Sequence, residues 1–167
     1  FASVGGIGRA GPLDGAVTVA EQVLPTRIGN LCVVPADLDL AGAGIEVARL
    51  DDHLVRLRKA LVVLKEDAAF DFIILDCPPS LGILMTNSLV AADEILVPIQ
   101  CEYYALEGLS KLMRITDVIR NSGENPTLVI SGLVRTMFDA RPNLSMEVVK
   151  EVRNHFQQVD SDTVIPR

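Results

Sequence analysis

The sequence lacks the residue patterns that mark several common classes of protein. Its three cysteines, Cys32, Cys77 and Cys101, are odd in number and show no C-x-x-C spacing, which argues against a disulfide framework and against a zinc site. His53 and His155 have no acid or nucleophile at a helpful spacing, so neither predicts a catalytic triad or a metal site. No G-x-x-x-x-G-K-[ST] string occurs, and no residue can therefore serve as a P-loop lysine.

Long apolar runs and an excess of basic residues are also missing. No stretch approaches the roughly 20 consecutive apolar residues of a membrane span, and no secretory leader is recognisable. Fifteen Lys and Arg against 22 Asp and Glu give a formal charge of −7. The overall charge therefore does not predict a nucleic-acid or membrane partner, and any contact with DNA needs a local basic patch. We expect a cytoplasmic protein without a membrane partner.

Apolar segments of two kinds alternate along the 167 residues. Short continuous apolar runs are typical of buried strands, whereas apolar residues three and four apart, such as Leu57, Leu61 and Leu64, are typical of amphipathic helices. This alternation predicts an α/β fold with a doubly wound, mostly parallel sheet and helices on both faces. The predicted strands cover residues 31–34, 70–75, 95–99 and 128–134, the predicted helices cover 14–24, 50–64, 84–92, 106–119 and 144–156, and residues 1–12 are predicted to be loop.

A carboxylate, Asp76, directly follows the predicted strand over residues 70–75. Ligands of open parallel sheets bind beyond the carboxyl ends of strands, and an Asp after four apolar residues is the arrangement with which nucleotide enzymes hold Mg²⁺, usually through water. Pro78 and Pro79 make the following loop rigid. The alternative, that Asp76 only caps the next turn, stays open.

Polar residues also follow two later strands. Gln100, Glu102 and Tyr103 come after residues 95–99, where they either face a ligand or partner subunit or form a hydrogen-bonded turn. Arg141, with Arg135 nearby, forms a small basic spot after residues 128–134. This spot is either a phosphate contact or a solvated surface.

The glycine-rich start of the chain matches a nucleotide-binding pattern only formally. Gly6, Gly8 and Gly11 form G-x-G-x-x-G, but Pro12 follows and no predicted strand precedes the pattern. The dinucleotide fingerprint requires such a strand. We therefore do not expect these glycines to bind phosphate.

Several longer strings resemble one protein family. Residues 70–82 read FDFIILDCPPSLG and residues 91–108 read AADEILVPIQCEYYALEG, while residues 136–141 read TMFDAR and residues 163–167 read TVIPR. Together they resemble the ParA/Soj family of deviant-Walker ATPases, which partition chromosomes and plasmids. The similarity extends from about residue 30 to the end of the chain.

The resemblance implies a role for several residues. Asp76 would be the Walker B carboxylate, serving both catalysis and Mg²⁺ binding. Arg141 would contact DNA. The remaining positions would be nucleotide contacts (Cys77, Pro78, Pro79, Thr136, Met137, Phe138 and Pro166) and the dimer face (Gln100, Glu102 and Tyr103).

The resemblance also implies the cofactors and partners of a partitioning ATPase. The cofactors would be ATP and Mg²⁺. The partners would be a second copy in an ATP-sandwich homodimer, non-specific DNA, and a ParB-type centromere-binding protein that stimulates hydrolysis. The protein would be associated with the nucleoid.

The family's first strand, its K-G-G-x-G-K-[ST] loop and its second strand have no counterpart in this sequence. We therefore expect residues 1–167 to form a single incomplete P-loop NTPase-like domain, truncated at both ends. We also expect this chain alone neither to bind ATP tightly nor to hydrolyse it. The alternative is a non-catalytic ParA-like regulatory or interaction protein.

Overall fold

The computed structural model describes residues 2–4, 13, 18–35, 40–66, 70–77, 80, 82–100, 105–138 and 160–166. The chain divides into two compact units, Phe1–Ala92 and Asp93–Arg167. Both units contain parallel strands and helices, which confirms the predicted α/β class.

The first unit contains a four-stranded sheet with the order β2-β3-β1-β4. Strand β1 runs parallel to both β3 and β4, whereas β2 is antiparallel to β3. The antiparallel pair closes through a turn in which Thr26 N–H donates to Leu31 O and Asn30 adopts a φ of 64°. The strands are β1 (Ala2–Val4), β2 (Leu24–Pro25), β3 (Cys32–Val34) and β4 (Ile73–Leu75).

This sheet is accompanied by helices α1 (Leu40–Val47), α2 (Arg56–Glu66) and α3 (Ile83–Ala91). The predicted leucine spacing is confirmed in α2, where Leu57, Leu61 and Leu64 lie on one buried face. They join a hydrophobic core that also contains Leu13, Val19, Val34, Val47 and Ala91.

The second unit contains a parallel three-stranded sheet with the order β5-β6-β7. Helix α4 (Ala105–Ser122) connects β5 to β6, as a parallel crossover requires. The helix is followed by Gly123 at a φ of 82°, a left-handed conformation that glycine adopts without a Cβ clash. The strands are β5 (Glu94–Gln100), β6 (Val129–Phe138) and β7 (Asp160–Pro166).

The beginning of the chain differs from the sequence prediction. Residues 1–12 were expected to be loop, but Ala2–Val4 is the strand between β3 and β4. The helix predicted over residues 14–24 is also wrong at its carboxyl end, where a 3₁₀ turn at Ala20–Gln22 precedes β2. Leu24 pairs with Val33, and this pairing stabilises an extended conformation where the helix was predicted to end. The helix predicted over residues 144–156 lies outside the described residues.

Candidate functional site

The three parallel strands of the first unit end at the same level. Val4 is in register with both Val34 and Leu75, so the carboxyl ends of β1, β3 and β4 form one edge of the sheet. Asp76 follows Leu75 directly, and its side chain is exposed. Among the described strands of this sheet, β4 is the last on one side, next to β1. Because Asp76 follows β4, its exposed carboxylate lies at the carboxyl ends of the parallel strands, where such sheets bind ligands.

In the sequence, the glycine-rich segment follows β1 directly. Its first residue, Gly5, directly follows Val4 of β1, so a strand does precede the G-x-G-x-x-G string. The expectation that no strand precedes it was wrong, because β1 is only three residues long and has no pattern of its own. The glycines themselves lie outside the described residues.

The Cys77 side chain contacts the backbone of β4. Cys77 is half-buried, and its Sγ lies 3.6 Å from the carbonyl oxygen of Leu75, to which the thiol donates. This contact joins Cys77 to the last residue of β4. Pro78 and Pro79, the next two predicted contacts, lie outside the described residues.

A second group of predicted residues meets at the carboxyl edge of the second unit's sheet. Gln100 at the end of β5 is in register with Thr136, and Phe138 is in register with Pro166 of β7. The Thr136 hydroxyl donates to Ile99 O at 3.4 Å. The structure therefore brings Gln100, Thr136, Phe138 and Pro166 to one edge, whereas Glu102, Tyr103 and Arg141 lie outside the described residues.

Met137, also at this edge, has an unusual backbone conformation. Its φ is 53°, a left-handed value that an unbranched L-residue adopts at some cost in free energy. The register of β6 with β7 shifts between Arg135 and Phe138, where this residue lies. The side chain of Met137 is 44% exposed, so it is available to a ligand at the end of the sheet.

Arg135 is not part of the exposed basic spot that the sequence suggested. It is only 3% exposed and lies within β6, in register with Ile99 and Val164. The predicted strand ended at residue 134, whereas β6 continues to Phe138. This continuation places Arg135 inside the sheet, so the prediction that it accompanies Arg141 on the surface was wrong.

The sequence interpretation also missed a buried amide in the first unit. Asn87, on α3, is 1% exposed. Its Oδ1 accepts from Leu57 N–H at 3.2 Å, and its Nδ2 donates to His53 O at 2.6 Å and to Ile83 O at 3.0 Å. The only indication in the sequence of this buried amide is a single Asn within the mostly apolar string ILMTNSLVA.

The carboxylate at position 76 fits magnesium better than a metal held entirely by protein. Within the described ranges, no group of three or more His, Cys, Asp and Glu side chains could hold a metal ion. Mg²⁺ in nucleotide sites often takes only one or two carboxylates, with waters and phosphate oxygens completing its shell. One exposed Asp at a sheet edge is consistent with that mode of binding.

Comparison with known proteins gives both a family and a fold. A family model described as an AAA domain matches residues 12–130. The chromosome partitioning protein ParA of Myxococcus xanthus is 48% identical over 149 residues, which cover 89% of this chain and 52% of that protein. The sporulation initiation inhibitor protein Soj of Bacillus subtilis is 45% identical over 149 residues, which cover 89% of this chain and 58% of that protein. The chain thus spans between half and three fifths of the length of these relatives.

A solved structure agrees with the fold. Cobyrinic acid a,c-diamide synthase from Mycobacterium smegmatis, solved with a bound ATP analog and magnesium, superposes with a TM-score of 0.85 at 33% identity. The match covers 96% of this chain and 64% of that one. Among the helices that the structure describes, none is long and apolar enough to cross a membrane.

Proposed function

Because this chain belongs to the ParA/Soj family, we propose that it acts in an ATPase that partitions chromosomes or plasmids. The observation that carries the proposal is the position of Asp76. It follows β4 at the edge where β1, β3 and β4 end together. This edge is where a parallel sheet receives a nucleotide.

In the proposed site, Asp76 holds Mg²⁺ through water. The metal neutralises charge on the β- and γ-phosphates when bound. The carboxylate is exposed, so its oxygens are free to accept hydrogen bonds from metal-bound water. Cys77, Pro78 and Pro79 contact the nucleotide in this proposal, which the position of Cys77 directly after Asp76 supports.

We also propose adenine and subunit contacts at the carboxyl edge of the second unit's own sheet. Thr136, Met137, Phe138 and Pro166 receive the adenine, which the register of β6 with β7 supports by bringing Phe138 beside Pro166. Gln100, Glu102 and Tyr103 belong to the face between two copies of the chain, which sandwich ATP.

The proposed partners follow from the same family. Arg141 contacts DNA phosphates without reading sequence, and a ParB-type centromere-binding protein stimulates hydrolysis. The protein works in the cytoplasm on the nucleoid. No lysine-containing P-loop occurs in this sequence, so we propose that these residues alone neither bind ATP tightly nor hydrolyse it. We also propose that residues 1–167 belong to one domain.

The metal role of Asp76 has a direct test. A fluorescent ATP analogue is titrated into the complete gene product with and without Mg²⁺, for the wild type and for Asp76→Asn. We expect Mg²⁺ to tighten binding to the wild type and to have little effect on Asp76→Asn. Asp71→Asn is the matched control, because Asp71 is also exposed but lies before β4. An equal Mg²⁺ effect in Asp76→Asn and wild type would refute the assignment.

The same titration on residues 1–167 tests whether this segment alone binds ATP only weakly. Micromolar affinity of this segment for the analogue would contradict the proposal. It would indicate that the glycine-rich segment after β1 binds phosphate.

A further inference from the structure

The residue that precedes α2 cannot cap the helix with its side chain. Val55 precedes Arg56, and its carbonyl accepts from Lys59 N–H at 3.0 Å, but its aliphatic side chain cannot accept from the free N–H groups of the first turn. The first turn contains no acidic residue, although negative charge is favoured there. The N–H of Leu57 therefore needs an acceptor from elsewhere.

Asn87 provides that acceptor from another helix. Its Oδ1 accepts from Leu57 N–H, while its Nδ2 donates to His53 O in the turn that leads into α2. The remaining Nδ2 hydrogen goes to Ile83 O in α3. The buried Asn87 amide thus connects α3 to Leu57, in the first turn of α2, and to His53, just before that helix.

Helix α3 is the element that follows Asp76 and its loop. It begins at Ile83, seven positions along the chain, and Ile83 is the residue whose carbonyl Asn87 bonds. Helix α1 also packs at this point, because a methyl group at Gly44 would lie 3.4 Å from Cγ2 of Ile83. A displacement of the start of α3 therefore acts on the helices packed against it.

We infer that Asn87 is a positioning residue that makes α2 follow the loop after Asp76. The inference rests on the proposed nucleotide role of that loop. When nucleotide binds beside Asp76, it fixes the start of α3, and Asn87 fixes the first turn of α2 with it. The nucleotide state then changes the stability of the first turn of α2.

Two substitutions separate the link from the fold. In Asn87→Ser, the shorter hydroxyl still bonds the carbonyl four residues earlier, as Thr86 and Ser88 do in the same helix, but cannot reach Leu57 and His53. Asn87→Ala removes every bond of the amide. Ser88→Ala is the matched control, since it removes a bond that stays within α3. Leu128→Ala is a second control, because it removes a buried side chain in the second unit and destabilises the protein without changing the Asn87 hydrogen bonds.

The readout is amide hydrogen exchange of the complete gene product, with and without Mg²⁺ and a non-hydrolysable ATP analogue. In the wild type we expect nucleotide to slow exchange in residues 76–82 and also in the first turn of α2. The α2 change should be roughly tenfold, as expected when a buried hydrogen bond gates an opening equilibrium. In Asn87→Ser, residues 76–82 should stay protected while α2 no longer responds. Both controls should behave like the wild type.

The outcomes distinguish the inference from the proposed function. If α2 still responds to nucleotide in Asn87→Ser and Asn87→Ala, or never responds in the wild type although residues 76–82 do, the inference is wrong and the proposed function stands. If nucleotide does not protect residues 76–82 in the wild type, the proposed function fails and the inference fails with it. Loss of the α2 response in Leu128→Ala as well would assign the effect to general destabilisation and overturn the inference.

Discussion

Replacing Leu61 by alanine tests which face of α2 packs into the first unit. Leu61 is 2% exposed and belongs to the core formed with Val34, Val47 and their neighbours. The change removes the equivalent of three buried methylene groups, at about 0.8 kcal/mol each, and leaves a cavity that adds a further cost. We expect a loss of about 3 kcal/mol in the free energy of unfolding.

The matched control is the next residue in the helix. Val62 is 41% exposed and lies about 100° around the helix from Leu61. Alanine is the better helix former, so Val62→Ala should change stability by less than about 0.5 kcal/mol. Thermal unfolding followed by circular dichroism should show Leu61→Ala melting about 10 °C lower, at roughly 2–4 °C per kcal/mol for a protein of this size. Equal losses in the two variants would mean that the leucine face is not the buried one.

Three further predictions concern charge, backbone and DNA. The Lys59 ammonium, hydrogen-bonded to Asp52 at 2.7 Å, lowers the pKa of that carboxyl below its usual 3.8. The stability that this pair contributes is present above pH 3.8 and lost as the pH falls through the lower folded-state pKa. Asp52→Asn should therefore lower the melting temperature most at pH 7, and the loss should shrink as the pH falls below 3.8. Gly123→Ala should lower the free energy of unfolding by about 1 kcal/mol, because its φ is 82°. Gly108→Ala, in α4 with open space around it, should raise that free energy by up to about 1 kcal/mol. Urea unfolding measures both changes, and two changes of the same sign would contradict the prediction. In the complete gene product, Arg141→Glu should weaken binding to DNA of any sequence and flatten its salt dependence without affecting ATP binding, and unchanged DNA affinity at moderate salt would refute the contact.

Local patterns predicted the elements that carry their own periodicity. The spacing of Leu57, Leu61 and Leu64 indicated α2, and the apolar runs indicated β3, β4, β5 and β6. The position of Asp76 after a strand was also predictable, because Asp76 directly follows the apolar run that ends at Leu75. These features depend on neighbouring residues only.

The features that were missed depend on distant partners. Strand β1 is defined by pairing with β3 and β4, and nothing in its three residues indicates this. The burial of Arg135 depends on how far β6 continues beside β5 and β7. Asn87 binds residues about thirty positions away, so a single amide on a helix gave no indication of its role.

The central position of β1 has a consequence for how the first unit is made. Ala2 pairs with Cys32 on one side and with Ile73 on the other, so the pairings close loops of roughly 30 and 70 residues. Contacts of such long range form slowly, and during synthesis the β1–β4 ladder has to wait until the ribosome has released β4. Until then, β1 keeps one row of backbone donors and acceptors unpaired. This interval is when a chaperone or a second nascent chain could most easily compete for that strand.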